Sequence, residues 1–201
     1  MVAGTAYTVE INGLSDCIGN TQSTAFTALI GVGLNPNVYD LIINEIYAVP
    51  DEAVFEDEFV EIYNRTNSLI TLDNLYFADA SSSVSLPNIQ IAGNSYAVLI
   101  GGTSTGSSPY LNNGVWYIPL SNLPSLNNAG DVISIGNSTT GEVINTVSYS
   151  DNWYIDSDKS DGGYSLELIN PLDVCAGSRN WREPIAINHT MGEQNTVYDA
   201  F

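Results

Sequence analysis

Short runs of β-branched and aromatic residues, each closed by turn formers, constrain this chain more than any other feature. Residues 41–47 read Leu-Ile-Ile-Asn-Glu-Ile-Tyr and residues 59–63 read Phe-Val-Glu-Ile-Tyr. Both fit half-buried strands, which alternate apolar and polar side chains with a period of two. Alternation predicts Ile42, Asn44 and Ile46 on one side of the first, with Ile43, Glu45 and Tyr47 on the other; Val60 and Ile62 of the second face inward. If the two strands pair, Glu45 and Glu61 stand close on one face. Like charges there are unfavourable without a cation or a solvent-exposed position.

The same pattern recurs along the chain. Residues 96–100 are almost wholly apolar and predict a central strand. Residues 5–14, 115–120, 143–149 and 164–169 predict further strands. Between them lie turn clusters, among them Gly93-Asn94, the Gly/Ser-rich 101–108, expected as an exposed loop, and Gly136 to Gly141. No amphipathic helix and no fixed-period repeat is visible. Several short strands with turn signals between them indicate an all-β sandwich or barrel.

Charge narrows the partners. The 201 residues carry 23 acidic and 4 basic side chains, a net charge of −19. Such a chain lacks the positive face that nucleic acid or an anionic lipid surface requires. No apolar run approaches the length needed to span a bilayer. Met1-Val2-Ala3-Gly4 has neither a basic segment nor the apolar segment of a signal peptide. The chain therefore reads as a piece of a longer secreted protein.

Candidate sites are few. Cys17 and Cys175 are too far apart for a CxxC redox or zinc motif. In an oxidising compartment they can pair, closing a loop worth up to about 5 kcal/mol; as reduced thiols they would be interior. The pairing is the preferred reading. Asp156, Asp158 and Asp161 place acids at nearly alternating positions, as a Ca²⁺ loop does, but lack the glycine and the later bidentate Glu of an EF-hand. The acidic loop 51–58 is expected to be solvated. Trp116, Trp153 and Tyr154 would stack on sugar rings if exposed, and would otherwise serve as packing. Trp181, between Arg179 and Arg182, suggests a cation–π clasp on the C-terminal tail. His189, the single histidine, falls in an irregular tail and is expected in solvent. No Gly-x-Ser-x-Gly elbow accompanies it.

In order, Asn44-Glu45-Ile46, Phe59-Val60-Glu61-Ile62-Tyr63-Asn64, Leu72-Asp73-Asn74-Leu75-Tyr76-Phe77, the run from Ile91 to Ile100, Gly130-Asp131-Val132-Ile133-Ser134-Ile135 and Thr140-Gly141-Glu142-Val143-Ile144 resemble the lamin tail domain. The stretch from Asp161 through Asn180-Trp181 to Gly192-Glu193-Gln194-Asn195 is similar to the extension of bacterial members. Residues from Tyr7 to Asn20 look like the closing strand of a bacterial Ig-like module. The resemblance implies an immunoglobulin-like β-sandwich over residues 37–201, with 1–36 an accessory or remnant segment. It also implies a non-catalytic module of a secreted or cell-surface bacterial protein, associated with the outer membrane. Such a module would serve adhesion, spacing or tethering through a protein or glycan partner. The alternative from a different class is a carbohydrate-binding module, assisted by Ca²⁺; otherwise no cofactor is expected. Nuclear-envelope and DNA-binding roles do not carry over, because heptads and basic residues are missing.

Overall fold

The computed structural model describes residues 1–101 and 108–199; the predicted loop at 101–108 falls, for residues 102–107, outside them. Strands dominate. In chain order they are β1 (Ala6–Ile11), β2 (Phe26–Gly31), β3 (Leu41–Tyr47), β4 (Phe59–Asn64), β5 (Ile70–Thr71), β6 (Leu75–Ala78), β7 (Ser83–Ser85) and β8 (Gln90–Ile91). They continue with β9 (Ser95–Ile100), β10 (Tyr110–Asn112), β11 (Val115–Pro119), β12 (Gly130–Asn137), β13 (Val143–Ser150), β14 (Leu166–Leu168) and β15 (Trp181–Arg182). Among the described residues the helical turns are short 3₁₀ segments, at Asp151–Trp153, Ser157–Asp161 and Gly177–Asn180.

One sheet runs β10-β11-β9-β4-β3-β14-β15 and the other β13-β12-β6-β7. Their facing sides form an immunoglobulin-like sandwich, the all-β architecture that the alternation implies. Ile43, Ile46, Val60, Ile62, Ala97 and Leu99 from the larger sheet meet Leu75, Phe77, Ile133, Ile135 and Ile144 from the smaller one, all buried. The apolar run at 96–100 lies in the sheet interior, antiparallel to β4 and parallel to β11.

Simple alternation fails at one place on β3. Ile43 pairs with Ile62 and Glu45 with Glu61, so Asn44 is an extra residue, a β-bulge. The bulge resets the phase of the strand. Ile43 and Ile46, predicted on opposite sides, both enter the core between the sheets. Asn145 bridges the sheets at this point. It lies beside a second register shift, and its Oδ1 accepts a hydrogen bond from the backbone N–H of Ile43 at 2.9 Å.

Residues N-terminal to the sandwich form a separate antiparallel ribbon of β1 and β2. Its base is fixed to β5. Leu34 donates its N–H to the Leu69 carbonyl at 2.8 Å and accepts from the Thr71 N–H at 2.9 Å, and Leu69 donates to the Gly4 carbonyl at 2.8 Å.

Asn145→Ala removes the acceptor of a core N–H, and an unsatisfied buried donor costs about 1–3 kcal/mol. Urea unfolding should show a midpoint shift with an unchanged slope. An unaltered midpoint would mean that the bridge between the sheets contributes nothing.

Candidate functional site

A row of three glutamates crosses the larger sheet. Glu61 on β4 pairs with Glu45 on β3, and Glu45 pairs with Glu167 on β14, so the three stand side by side on one face. That face is the outer one, since Val60 and Ile62 on either side of Glu61 point into the core. Tyr47, Phe59, Val98, Ile100 and Val115 form a second apolar cluster, with Phe55, Tyr96, Tyr117 and Met191 packed against it. The glutamates are nonetheless fully buried, each with 0% exposure. No Lys or Arg pairs with any of them among the described residues.

What covers them is the C-terminal segment around residues 188–197, which approaches as irregular backbone with its donors pointing inward. The Thr190 N–H and the Ser165 hydroxyl both donate to Glu45 Oε1, at 2.8 and 2.6 Å. Glu61 accepts from Asn44 Nδ2 at 2.8 Å and from the Gly192 N–H at 2.5 Å. Glu167 accepts from the hydroxyls of Thr190 and Thr196, at 2.7 and 2.8 Å, and from the Val197 N–H at 3.3 Å. Gly192 has a positive φ of 81°, and a Cβ there would lie 2.7 Å from the Tyr117 hydroxyl, so only glycine brings this N–H close.

Asn195 ties the segment to the bulge. Its Nδ2 donates to the carbonyls of Asn44 at 3.0 Å and Leu168 at 2.8 Å, and its Oδ1 accepts from Asn44 Nδ2 at 3.0 Å. The carbonyl of the bulged residue is thereby satisfied by the tail, as buried backbone groups must be. A cavity of about 180 Å³ opens next to these amides, lined in part by Tyr63, Tyr96 and Tyr198.

The row is one donor short: Glu45 Oε2 is buried without a hydrogen-bond partner. Burial raises the Glu45 carboxyl to about 8, against the pull of Ser165 and Thr190, with the charge of Glu167 adding to the rise. Burial and then the neighbouring charge of Glu45 push Glu61 well above the usual carboxylate range. Desolvation of this kind favours the neutral acid. Within the row, Glu45 and Glu61 therefore favour the protonated acid where strand alternation alone anticipates a cation or solvent. Chemically it is a proton-loaded latch that fastens the tail to the sheet.

Other candidates are placed elsewhere. His189 is not in solvent. It is half-buried against the rings of Tyr47, Phe55 and Phe59, with centroids 5.7, 6.1 and 5.5 Å away, and burial lowers its pKa. Asp156 caps the turn at Ser157–Asp161 by accepting from the Asp158 N–H, so its carboxyl acts as a cap beside Asp158 and Asp161. Among the described residues no three His, Cys, Asp or Glu side chains group as a metal ion would need. Cys17 and Cys175 are separate, exposed thiols, neither bridged nor interior. Trp116 is half-buried and donates from Nε1 to the Gln90 carbonyl at 2.7 Å, and the Tyr154 hydroxyl donates to the Tyr164 carbonyl at 2.9 Å. Trp153 lies beside Trp181, centroids 6.0 Å apart. The expected clasp of Trp181 by arginine does not form; the cation–π contact among the described residues is Lys159 over Tyr164, at 4.9 Å. The acidic loop is only partly solvated, since Asp57 is buried and Glu58 accepts from the Leu126 N–H at 3.1 Å.

Glu167, Thr190 and Asn195 are the members of the site that strand reasoning misses. The available signal is a glutamate between two apolar residues, Leu166-Glu167-Leu168, the same arrangement as Val60-Glu61-Ile62.

Because the folded chain holds a proton on Glu45 that the unfolded chain releases near 4.5, stability should fall as pH rises from about 5 to about 8. The slope should approach about 1.4 kcal/mol per pH unit for each proton held, roughly 7–14 °C in Tm across the window for one proton. His189, held neutral, acts in the opposite direction below its ordinary value of 6.5. Glu45→Gln, which mimics the protonated acid, isolates the glutamate. The variant should match the parent near pH 5 and exceed it at pH 8, and an equal pH dependence in both would refute the latch.

Comparison with known families gives one match: the family model described as Lamin Tail Domain covers residues 35–151. The matched region contains Glu45 and Glu61 and ends before Glu167 and the tail. A search of curated proteins returned no match.

Proposed function

Since the chain belongs to the lamin tail domain family, whose members are immunoglobulin-like structural domains, we propose that it is a non-catalytic module that positions neighbouring domains of a secreted or cell-surface bacterial protein. The observation that carries this reading is the face of the β1–β2 ribbon. Register places Tyr7 opposite Ile30, Val9 opposite Ala28 and Ile11 opposite Phe26, so six apolar side chains share one side. Phe26 is 64% exposed and Ile11 46%. A two-stranded ribbon is at best marginally stable alone in water and gains stability from further strands or a packed helix; in this reading the apolar face meets a neighbouring β module.

The two ends of the chain differ in a way that suits a spacer. The C-terminal segment is held down by buried hydrogen bonds, while the N-terminal ribbon is attached at its base and presents its apolar side outward. A rigid sandwich between them would fix the separation of what lies on either side. The acidic surface suits an extracellular setting in which polar character comes from Ser, Thr, Asn and acids. It would also limit self-association through mutual repulsion.

Photo-crosslinking tests the proposal. A benzophenone amino acid replacing Phe26, in the polypeptide produced by its source cells, should join the ribbon to a β module of the same polypeptide or surface assembly. In the chain alone, amides of β1 and β2 should exchange far faster than those of β3, β4 and β9. Recovery of the protein from the cytosol with no crosslink at position 26 would contradict the proposal.

A further inference from the structure

We infer that the groove between the Asp151–Trp153 turn and the Gly177–Arg182 segment binds a carboxylate-bearing sugar, a hexuronate residue of a glycan. The site is distinct from the ribbon and from the glutamate row. The groove measures about 570 Å³ and is lined by Trp153, Ile155, Ile169, Arg179, Trp181 and Arg182 among others. That size lies within the roughly 300–1,000 Å³ usual for small-molecule sites.

Charge singles out this place. The chain has four cations. Two serve the fold: Arg65 donates to the Pro171 carbonyl at 2.8 Å, and Lys159 donates to the Pro184 carbonyl at 2.7 Å and covers Tyr164. The other two line the groove. Arg179 is exposed and has no hydrogen-bond or ion-pair partner among the described residues. Arg182 approaches Glu183 only at 3.9 Å, and its Nε is buried without a partner. Glu183 is itself engaged by the Ile155 N–H at 2.9 Å and the Asp156 N–H at 3.3 Å. A buried, unpartnered Nε–H on Arg182, in the same groove as the exposed and unpaired Arg179, leaves unused donors in the planar arrangement that a carboxylate matches.

The neighbouring surface specifies a ring. Trp153 is half-buried next to the buried Trp181, their planes 35° apart, which gives the groove an indole floor with Ile155 and Ile169 beside it. Sugar rings present C–H faces to such a floor and carry a carboxylate at the rim. An acidic peptide would bring the carboxylate without the ring. The surrounding charge of −19 disfavours a long polyanion, so the ligand is a single acidic sugar or a short stretch containing one.

Titration of the intact chain with methyl β-glucuronide and methyl β-glucoside, followed by NMR of the Trp153 Nε1–H and Arg182 Nε–H, tests this directly. The two probes differ only in a carboxylate replacing a hydroxymethyl group. The glucuronide should shift both resonances saturably with a Kd on the order of 1 mM or tighter at low salt, and the glucoside should bind about 10-fold more weakly or worse. Arg179→Gln should reduce glucuronide binding to the glucoside level, and Trp153→Ala should weaken both probes. Unchanged amide spectra elsewhere would establish that the variants fold. Absence of saturable shifts, equal binding of the two probes, or full retention of binding in either variant would overturn the inference. So would inorganic sulfate displacing the glucuronide with equal affinity in the parent and in Trp153→Ala, since that describes a plain anion site.

Discussion

Everything on the outer face of the larger sheet depends on how three carboxyl groups are kept out of water without a cation. An ionised carboxylate moved into a protein interior loses several kcal/mol of solvation, and three in a row add mutual repulsion. Two responses meet in this structure. Hydrogen bonds from the Ser165 and Thr190 hydroxyls, from Asn44 and from the backbone of the tail satisfy the oxygens that accept. Protons remain on the acids that burial penalises most. The tail has almost no regular structure, and its backbone N–H groups at Thr190, Gly192 and Val197 meet the carboxyl oxygens instead of a strand partner.

This arrangement links the bulge, the row and the tail into one unit. The extra residue Asn44 in β3 lets Ile43 and Ile46 share the core while Glu45 stays opposite Glu61. The same residue supplies an amide to Glu61 and a carbonyl to Asn195. Asn195 then reaches Leu168 on β14, so the sheet and the tail are mutually braced. The C-terminal side of the sandwich is thereby held by a continuous set of buried hydrogen bonds. The N-terminal ribbon turns an apolar face to solvent, and under the proposed spacer role that face would meet neighbouring β structure.

The strand pattern makes the sandwich legible, including the central place of residues 96–100 and the neighbouring positions of Glu45 and Glu61. The bulge at Asn44 is not legible, because one inserted residue leaves the hydrophobic run looking continuous. Glu167 is hidden for a related reason. A charge between two leucines on a short strand reads as the solvent side, and only a covering segment makes it interior. That covering segment lies 145 residues from Glu45 in the chain and has no periodicity that would announce it. His189 misleads in the same way: irregular sequence around it suggests exposure, yet the segment is pressed onto the rings of Tyr47, Phe55 and Phe59. The indole and guanidinium groups of the groove are visible as residue types, but their convergence depends on the loop between β13 and β14 folding back beside β15.

Burial favours the protonated form of Glu45 inside the folded chain. Carboxyl ¹³C NMR of protein labelled at glutamate side chains, with Glu45 assigned through the Glu45→Gln variant, reads that proton directly. The expected titration midpoint is near 8, far above the ordinary 4.5, with the neutral-acid shift persisting through mildly acidic and near-neutral conditions. A Glu45 signal with the shift of a carboxylate and a midpoint at or below 4.5 would contradict it.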